Sequence, residues 1–228
     1  MTSSRWNANG NVYLVTTDRL DPELVRAAVG DADGFVEVLR QDGPRLEVAI
    51  WNPDGSRAEM SGNGTRIAAR WLSEQTGART VVVAVGPREV TATMLDDGLV
   101  EQDLGEVEVG VPEEVAGIRL VTVDVGNLHA VVDADPADLP RLGPLLETHP
   151  RFPHRTNVQV ARRAAEGELE ARVWERGAGE TASSGSSAVA VAAAFGCHDE
   201  TVRFPGGPLR VRFEGRRAFL TGPAKQED

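Results

Sequence analysis

The chain has 228 residues, of which 41% are hydrophobic and 5% aromatic, and its net charge at neutral pH is −11. That length suits one large domain or two small ones, each able to bury a core. So acidic a chain lacks the clustered Lys and Arg that phosphate binding needs, which argues against nucleic acid as a partner. No apolar run approaches the ~18 residues of a membrane span, so no membrane is expected either. Met1 to Asn11 lacks the apolar stretch of a secretory signal, and the expected location is cytoplasmic. Cys197 is the single cysteine, which rules out an internal disulfide and a multi-cysteine metal site. Lys225 is the only lysine and lies in a polar tail. Pyridoxal phosphate is carried on a buried lysine, so that chemistry is not expected.

In chain order, Gly10 to Val15 reads as a Gly-Asn turn running into a strand. Asp21-Pro22-Glu23 opens a helix by capping chemistry, and the helix runs to about Val29. Leu46 to Trp51 alternates as a strand and meets the turn Asn52-Pro53-Asp54-Gly55. A helix follows from Gly62 to about Gln75. A third runs from Leu139 to about Thr148. Leu169 to Trp174 alternates again and meets the turn Arg176-Gly177-Ala178-Gly179. The fourth helix, Gly185 to Phe195, is stopped by Gly196. It is apolar almost all round, which predicts burial. Pro208 to Leu220 reads as a hairpin about Glu214-Gly215.

Three segments recur in order. Gly10-Asn11-Val12-Tyr13 resembles Gly126-Asn127-Leu128-His129. Ser61-Gly62 before a helix resembles Ser184-Gly185 before a helix. Val81-Val82-Val83 with Gly86 resembles Val202-Arg203-Phe204 with Gly206 and Gly207. The offsets lie between about 116 and 123 residues, which suggests a duplicated lobe. The predicted boundary lies near Gly110 to Gly117. The lobes are then 1–112 and 113–228, with the last residues free to return to the first.

Chemistry should gather where small residues open a helix. Backbone N–H groups are approachable at Ser61-Gly62-Asn63 and at Ser184-Gly185-Ser186, and with the helix dipole they form anion sites. Two such starts would hold a carboxylate; each is also readable as a plain Ser N-cap. Glu175 suits an ammonium group and Arg176 a carboxylate, or the two are an exposed ion pair. Asn11, Asn52, Asn127 and Asn157 are either turn residues or neutral amides for a zwitterion. His129 is either structural or an aid to a base. His149, His154 and His198 form no metal spacing.

At these motifs the chain resembles the diaminopimelate epimerase family. The resemblance rests on Asn52-Pro53-Asp54-Gly55-Ser56, Glu59-Met60-Ser61-Gly62-Asn63-Gly64-Thr65-Arg66, Gly126-Asn127-Leu128-His129, Thr156-Asn157-Val158, Glu175-Arg176-Gly177-Ala178-Gly179-Glu180-Thr181 and Thr221-Gly222-Pro223-Ala224. It implies an α/β (α+β) fold of two pseudo-symmetric lobes, each a β-barrel-like sheet around a central helix. It also implies a small amino-acid substrate lying between the lobes, and no cofactor or metal. By the same resemblance, Asn11, Asn52, Asn127, Asn157, Glu175 and Arg176 are substrate contacts. Gly62, Asn63, Gly185 and Ser186 bind the α-carboxylate, and His129 and Glu175 tune the bases. A homodimer is left open.

The family reaction uses two thiols, one on each face of the α-carbon. Both positions read as serine here, Ser61 and Ser184. A thiol has a reference pKa of about 8.5, and an alcohol is far less acidic. Two other functions draw on the same residues. One is isomerase chemistry with a carboxylate base, Glu59 or Glu175. The other is a non-catalytic amino-acid-binding homologue. Leu128 replaces a proline of the family pattern, and Gly34 stands where some members carry a glutamine.

Overall fold

The computed structural model describes residues 2–58 and 60–227. The chain divides into two compact units, residues 1–103 with 221–228, and residues 104–220.

The first unit opens with β1 (Ser3–Ala8) and β2 (Asn11–Thr16), an antiparallel pair. Next comes α1 (Pro22–Ala28), whose first turn is capped by Asp21; the carboxylate accepts from Glu23 and Leu24 N–H. β3 (Gly34–Asp42) lies parallel to β2, and β4 (Arg45–Trp51) antiparallel to β3. α2 (Gly62–Thr76) then crosses to β5 (Thr80–Val85), parallel to β4. β6 (Arg88–Met94) and β7 (Leu99–Glu106) extend the ladder. α2 packs against all six strands from β1 to β6, so the sheet wraps it. Its Ile67, Ala68, Ala69 and Leu72 join Val15, Val36, Val48, Ile50, Val81 and Val83 in one core. α1 covers the other face, where Val25 and Val29 meet Phe35, Ala49 and Trp51. β3 is therefore buried on both faces at its start, which explains its nearly unbroken apolar run.

The second unit holds β8 (Glu108–Val109), β9 (Glu113–Val115), β10 (Ile118–Asp124) and β11 (Leu128–Asp133). α3 (Leu139–Glu147) leads to β12 (Asn157–Ala165), parallel to β11. β13 (Glu168–Glu175) follows antiparallel, with β14 (Gly179–Thr181) on its flank. α4 (Gly185–Ala194) crosses to β15 (Asp199–Phe204), parallel to β13, and β16 (Gly207–Glu214) returns along it. α4 touches six strands of this unit, and Gly185 to Ala192 are buried without a break. An all-round apolar helix needs such a wrapping, since each buried valine contributes about 1.5–3 kcal/mol. α3 lies on the other face, where Leu139, Leu142 and Leu146 meet Val158, Val160 and Phe152.

The chain then returns through β17 (Arg217–Pro223) to β18 (Lys225–Gln226), which pairs with β1 in the first unit. The only lysine thus lies exposed on an added strand. Among the described residues, no helix is long and apolar enough to cross a membrane.

Strand registers establish the duplication. Tyr13 pairs with Gly34 as His129 pairs with Asn157. Phe35 pairs with Trp51 as Val158 pairs with Trp174. Arg45 pairs with Val82 as Glu168 pairs with Thr201. Val82 pairs with Thr91 as Thr201 pairs with Arg210. These registers correct the third sequence match: Val83, not Val81, is the counterpart of Val202. A shift of two residues keeps the same faces inside, so the apolar pattern does not reveal it.

The domain boundary also differs from the expected 112/113. β7 runs unbroken through 99–106, and the glycines taken for a linker are turn and pairing positions. Gly110 N–H donates to Thr122 O, and Gly117 has φ +74° in the tight turn between β9 and β10. Gly34 has φ +156°, and a Cβ there would lie 2.2 Å from Trp51 O. No side chain fits that position without moving β4 away from β3.

Candidate active site

In the first unit, Tyr13 lies opposite Gly34 across β2 and β3, and Trp51 on β4 lies opposite Phe35, the next residue of β3. That register brings Asn11, buried at the start of β2, and Asn52, just after β4, to one end of the sheet. Asn52 closes its own turn: its N–H donates to Ser56 O, and its Nδ2 to Ser56 Oγ. The start of α2 sits at this end as well, because Ser61 Oγ lies 3.2 Å from Tyr13 Oη. Ser61 is the N-cap, and its Oγ accepts from Gly64 N–H at 3.0 Å. A Cβ on Gly64 would press on Ile50 Cδ1 at 2.9 Å, so glycine lets the helix start sit close on β4. Glu59, the alternative carboxylate base, lies outside the described residues.

Behind this start is a polar layer that sequence reading missed. Gln102 Nε2 donates to Thr65 Oγ1, which donates to Ser61 O. Arg66 is fully buried; its Nε donates to Pro223 O and its Nη2 to Asn63 Oδ1. Its Nη1 has no hydrogen-bond partner. Burial lowers its pKa to about 10, while Tyr13 acts in the opposite sense.

The second unit repeats the arrangement with different groups. His129 lies opposite Asn157 across β11 and β12, Trp174 on β13 lies opposite Val158, the next residue of β12, and Glu175 ends β13. Asn157 ties this edge together: its Nδ2 donates to Leu128 O, and its Oδ1 accepts from Arg176 N–H. The exposed Arg176 is thereby held at the backbone. Glu175 accepts from Thr181 Oγ1 at 2.6 Å. Glu147 on α3 is a second unforeseen organiser, with its carboxylate accepting from Trp174 Nε1 and Gly177 N–H, both at 2.8 Å.

Ser184 is the N-cap of α4 but makes no side-chain capping bond. The helix itself offers no acceptor to the N–H groups of Gly185, Ser186 and Ser187. The two helix starts therefore differ: Ser61 caps its helix and Ser184 does not.

His129 reads from the sequence as either structural or an aid to a base, and its ring is tightly held. It is fully buried. Nε2 lies 3.0 Å from Asn127 Oδ1 and Nδ1 lies 2.9 Å from Gln159 Nε2. The consistent assignment is a neutral imidazole, with Nε2–H donating to Asn127 and Nδ1 accepting from Gln159. Both ring nitrogens are taken, and neither is left for Ser184. Burial lowers its pKa from 6.5 to about 3, and the charge of Arg176 acts in the same direction. The stability consequence has a definite sign. Below pH 6.5 the unfolded chain binds a proton at this residue and the folded chain does not. Stability is therefore lost as pH falls, by up to about 1.4 kcal/mol per unit from this group, and is level above. Urea unfolding of wild type and His129→Gln, at pH 6.5 and about two units lower, should show the smaller drop in the variant. Equal drops would refute a neutral buried imidazole.

A shallow cavity of about 580 Å³ elsewhere in the second unit is lined by Val107, Cys197, His198, Phe213 and Arg216, among others. None of the sequence-predicted site residues lines it. Among the described residues, no group of three or more His, Cys, Asp or Glu could hold a metal.

A family model described as diaminopimelate epimerase matches residues 121–226. The diaminopimelate epimerase of Brucella anthropi is 32% identical, covering 98% of this chain and 89% of that protein. That of Pelotomaculum thermopropionicum is 34% identical over 86% of this chain and 81% of its own length. The Brucella alignment spans 266 positions, more than this chain contains, so the relative carries insertions. Among solved structures, a predicted epimerase from Pseudomonas aeruginosa has a TM-score of 0.79 at 17% identity, covering 99% of this chain and 96% of that one. A hydroxyproline epimerase from Agrobacterium vitis has a TM-score of 0.69 at 16% identity, with coverages of 99% and 88%. These two share the fold, mostly sheet with few helices. By identity and coverage together, the chain belongs to the diaminopimelate epimerase family, a family of isomerases.

Proposed function

We propose that this chain is a pyridoxal-phosphate-independent amino-acid isomerase that interconverts LL- and meso-diaminopimelate by α-proton transfer, in the synthesis of lysine and peptidoglycan precursors. The observation that carries the reading is the start of α4, a buried helix whose first N–H groups receive no cap from Ser184. An α-carboxylate supplies the missing acceptors and also meets the positive end of the dipole. Gly185 and Ser186 hold it there, with Gly62 and Asn63 playing the corresponding part in the first unit. Arg176 takes a second carboxylate and Glu175 an ammonium group. Asn11, Asn52 and Asn127 supply neutral amide contacts. Asn157 acts chiefly by fixing the Arg176 backbone. Ser61 and Ser184 occupy the positions from which the proton is moved.

Incubation with LL-diaminopimelate in deuterated water tests this. The α-proton signal should decay faster than in a buffer control, and carbonyl reagents that trap pyridoxal phosphate should not slow it. No exchange above the control would exclude this substrate. One observation favours a second reading: Ser61 Oγ is already committed to Gly64 and Tyr13. A binding protein without turnover would show calorimetric binding of the same zwitterion and no exchange.

A further inference from the structure

We propose that Tyr13 is the proton acceptor behind Ser61, a positioning residue that lets a hydroxyl do the work of a thiol at the start of α2. The inference rests on the reading of Ser61 as a proton-transfer group. Its geometry lies wholly within the first unit. Tyr13 Oη is 3.2 Å from Ser61 Oγ. Ser61 Oγ already accepts from Gly64 N–H, so its own proton is available for Tyr13. Arg66, fully buried and four residues into the helix, interacts electrostatically with Tyr13. Among the described residues, no carboxylate pairs with this guanidinium. Its charge and the helix start both favour an anion at this point. From β1 the residue opposite Tyr13 is Trp6, and from β3 it is Gly34; neither titrates.

The step balances without a co-reactant. As the substrate C–H bond breaks, its proton goes to Ser61 Oγ. The Ser61 proton goes to the Tyr13 phenolate, and the negative charge passes from the phenolate to the α-carbon. Reprotonation reverses each transfer. A phenol has a reference pKa of about 10, against about 8.5 for a thiol, a mismatch of about 1.5 units. That is far smaller than the gap between a thiol and an isolated alcohol. The second unit has His129 at the position of Tyr13, and its nitrogens are taken up by Asn127 and Gln159. The relay therefore belongs to one unit only.

Tyr13 is the sole tyrosine, so near-ultraviolet phenolate absorbance reports it alone in folded protein. In Ser61→Ala the phenolate loses a donor, and its midpoint should rise by about one pH unit. Tyr13→Phe should lower exchange at least tenfold and abolish the alkaline limb of the pH–rate profile, whose midpoint in wild type should match the absorbance midpoint. In a Ser61→Cys background, Tyr13→Phe should cost little, because a thiol needs no relay. An unmoved phenolate midpoint in Ser61→Ala, or an unchanged pH profile in Tyr13→Phe, overturns the proposal. If wild type exchanges no proton on diaminopimelate, the functional reading fails while the absorbance titration still decides the Tyr13–Ser61 pair.

Discussion

Cysteine placed at Ser61 and Ser184 together should raise α-proton exchange on LL-diaminopimelate by at least about a hundredfold. A positioned general base contributes about 10²–10⁴-fold, provided its pKa lies near the working pH. A thiol meets that condition at a helix start, where the dipole lowers its pKa further. An alcohol does not, and each unit of mismatch costs about 1.36 kcal/mol. The two positions should respond unequally. Ser184 makes no capping bond, so cysteine there costs no cap. Ser61 caps Gly64, so cysteine there also costs part of a cap, about 1 kcal/mol of stability. The double variant, compared with each single variant by proton exchange and chiral product analysis, checks the expectation. An unchanged rate in the double variant would mean that these serines are not the proton-transfer positions, and the functional reading would fall with them.

Gln159→Leu should cost about 2–4 kcal/mol of stability, although leucine is close in size. Gln159 is fully buried, and its Nε2 donates to His129 Nδ1 and to Ser187 Oγ, both on fully buried residues. Leucine leaves two buried acceptors without a donor, at about 1–3 kcal/mol each. Replacing the partners as well, with His129→Leu and Ser187→Ala, should recover most of the loss, because no buried polar group is then left unpaired. Chemical denaturation of the single and triple variants measures both effects. A single variant as stable as wild type would show that the His129–Gln159–Ser187 chain contributes nothing to the fold.

Much of the fold was legible in the sequence because its signals are local. The Asp21 cap, the stop at Gly196 and the all-apolar Gly185–Phe195 run each follow from a few neighbouring residues, and the helices end within a residue or two of expectation. The two helix starts and the turns after Trp51 and Trp174 were readable for the same reason. What stayed hidden depends on register and on distant partners. That Gln159 reaches His129 follows from β11 and β12 lying parallel with His129 opposite Asn157, which no periodicity reports. Glu147 looks like an ordinary helix-end glutamate until α3 brings it to Trp174 and Gly177. Tyr13 reads as one more aromatic strand residue, and only the closure of β2 onto α2 reveals its hydroxyl beside Ser61. The glycines at 110 and 117 read as a linker, yet they are a pairing position and a turn, which glycine alone does not tell apart.

The return of β18 to β1 has a consequence for how the molecule is made. Trp6 and Asn7 pair with Gln226 and Lys225, Arg5 bonds to Glu227, and Arg66 at the start of α2 bonds to Pro223. Synthesis runs from the first residue to the last, so the unit begun first is completed last. Residues 104–220 are made before the segment that carries β18 and Pro223, so β1 and the guanidinium of Arg66 wait for partners that follow them by more than 150 residues. During that interval one edge of the nascent sheet is open, and a chaperone or a second nascent chain would meet β1 before β18 does.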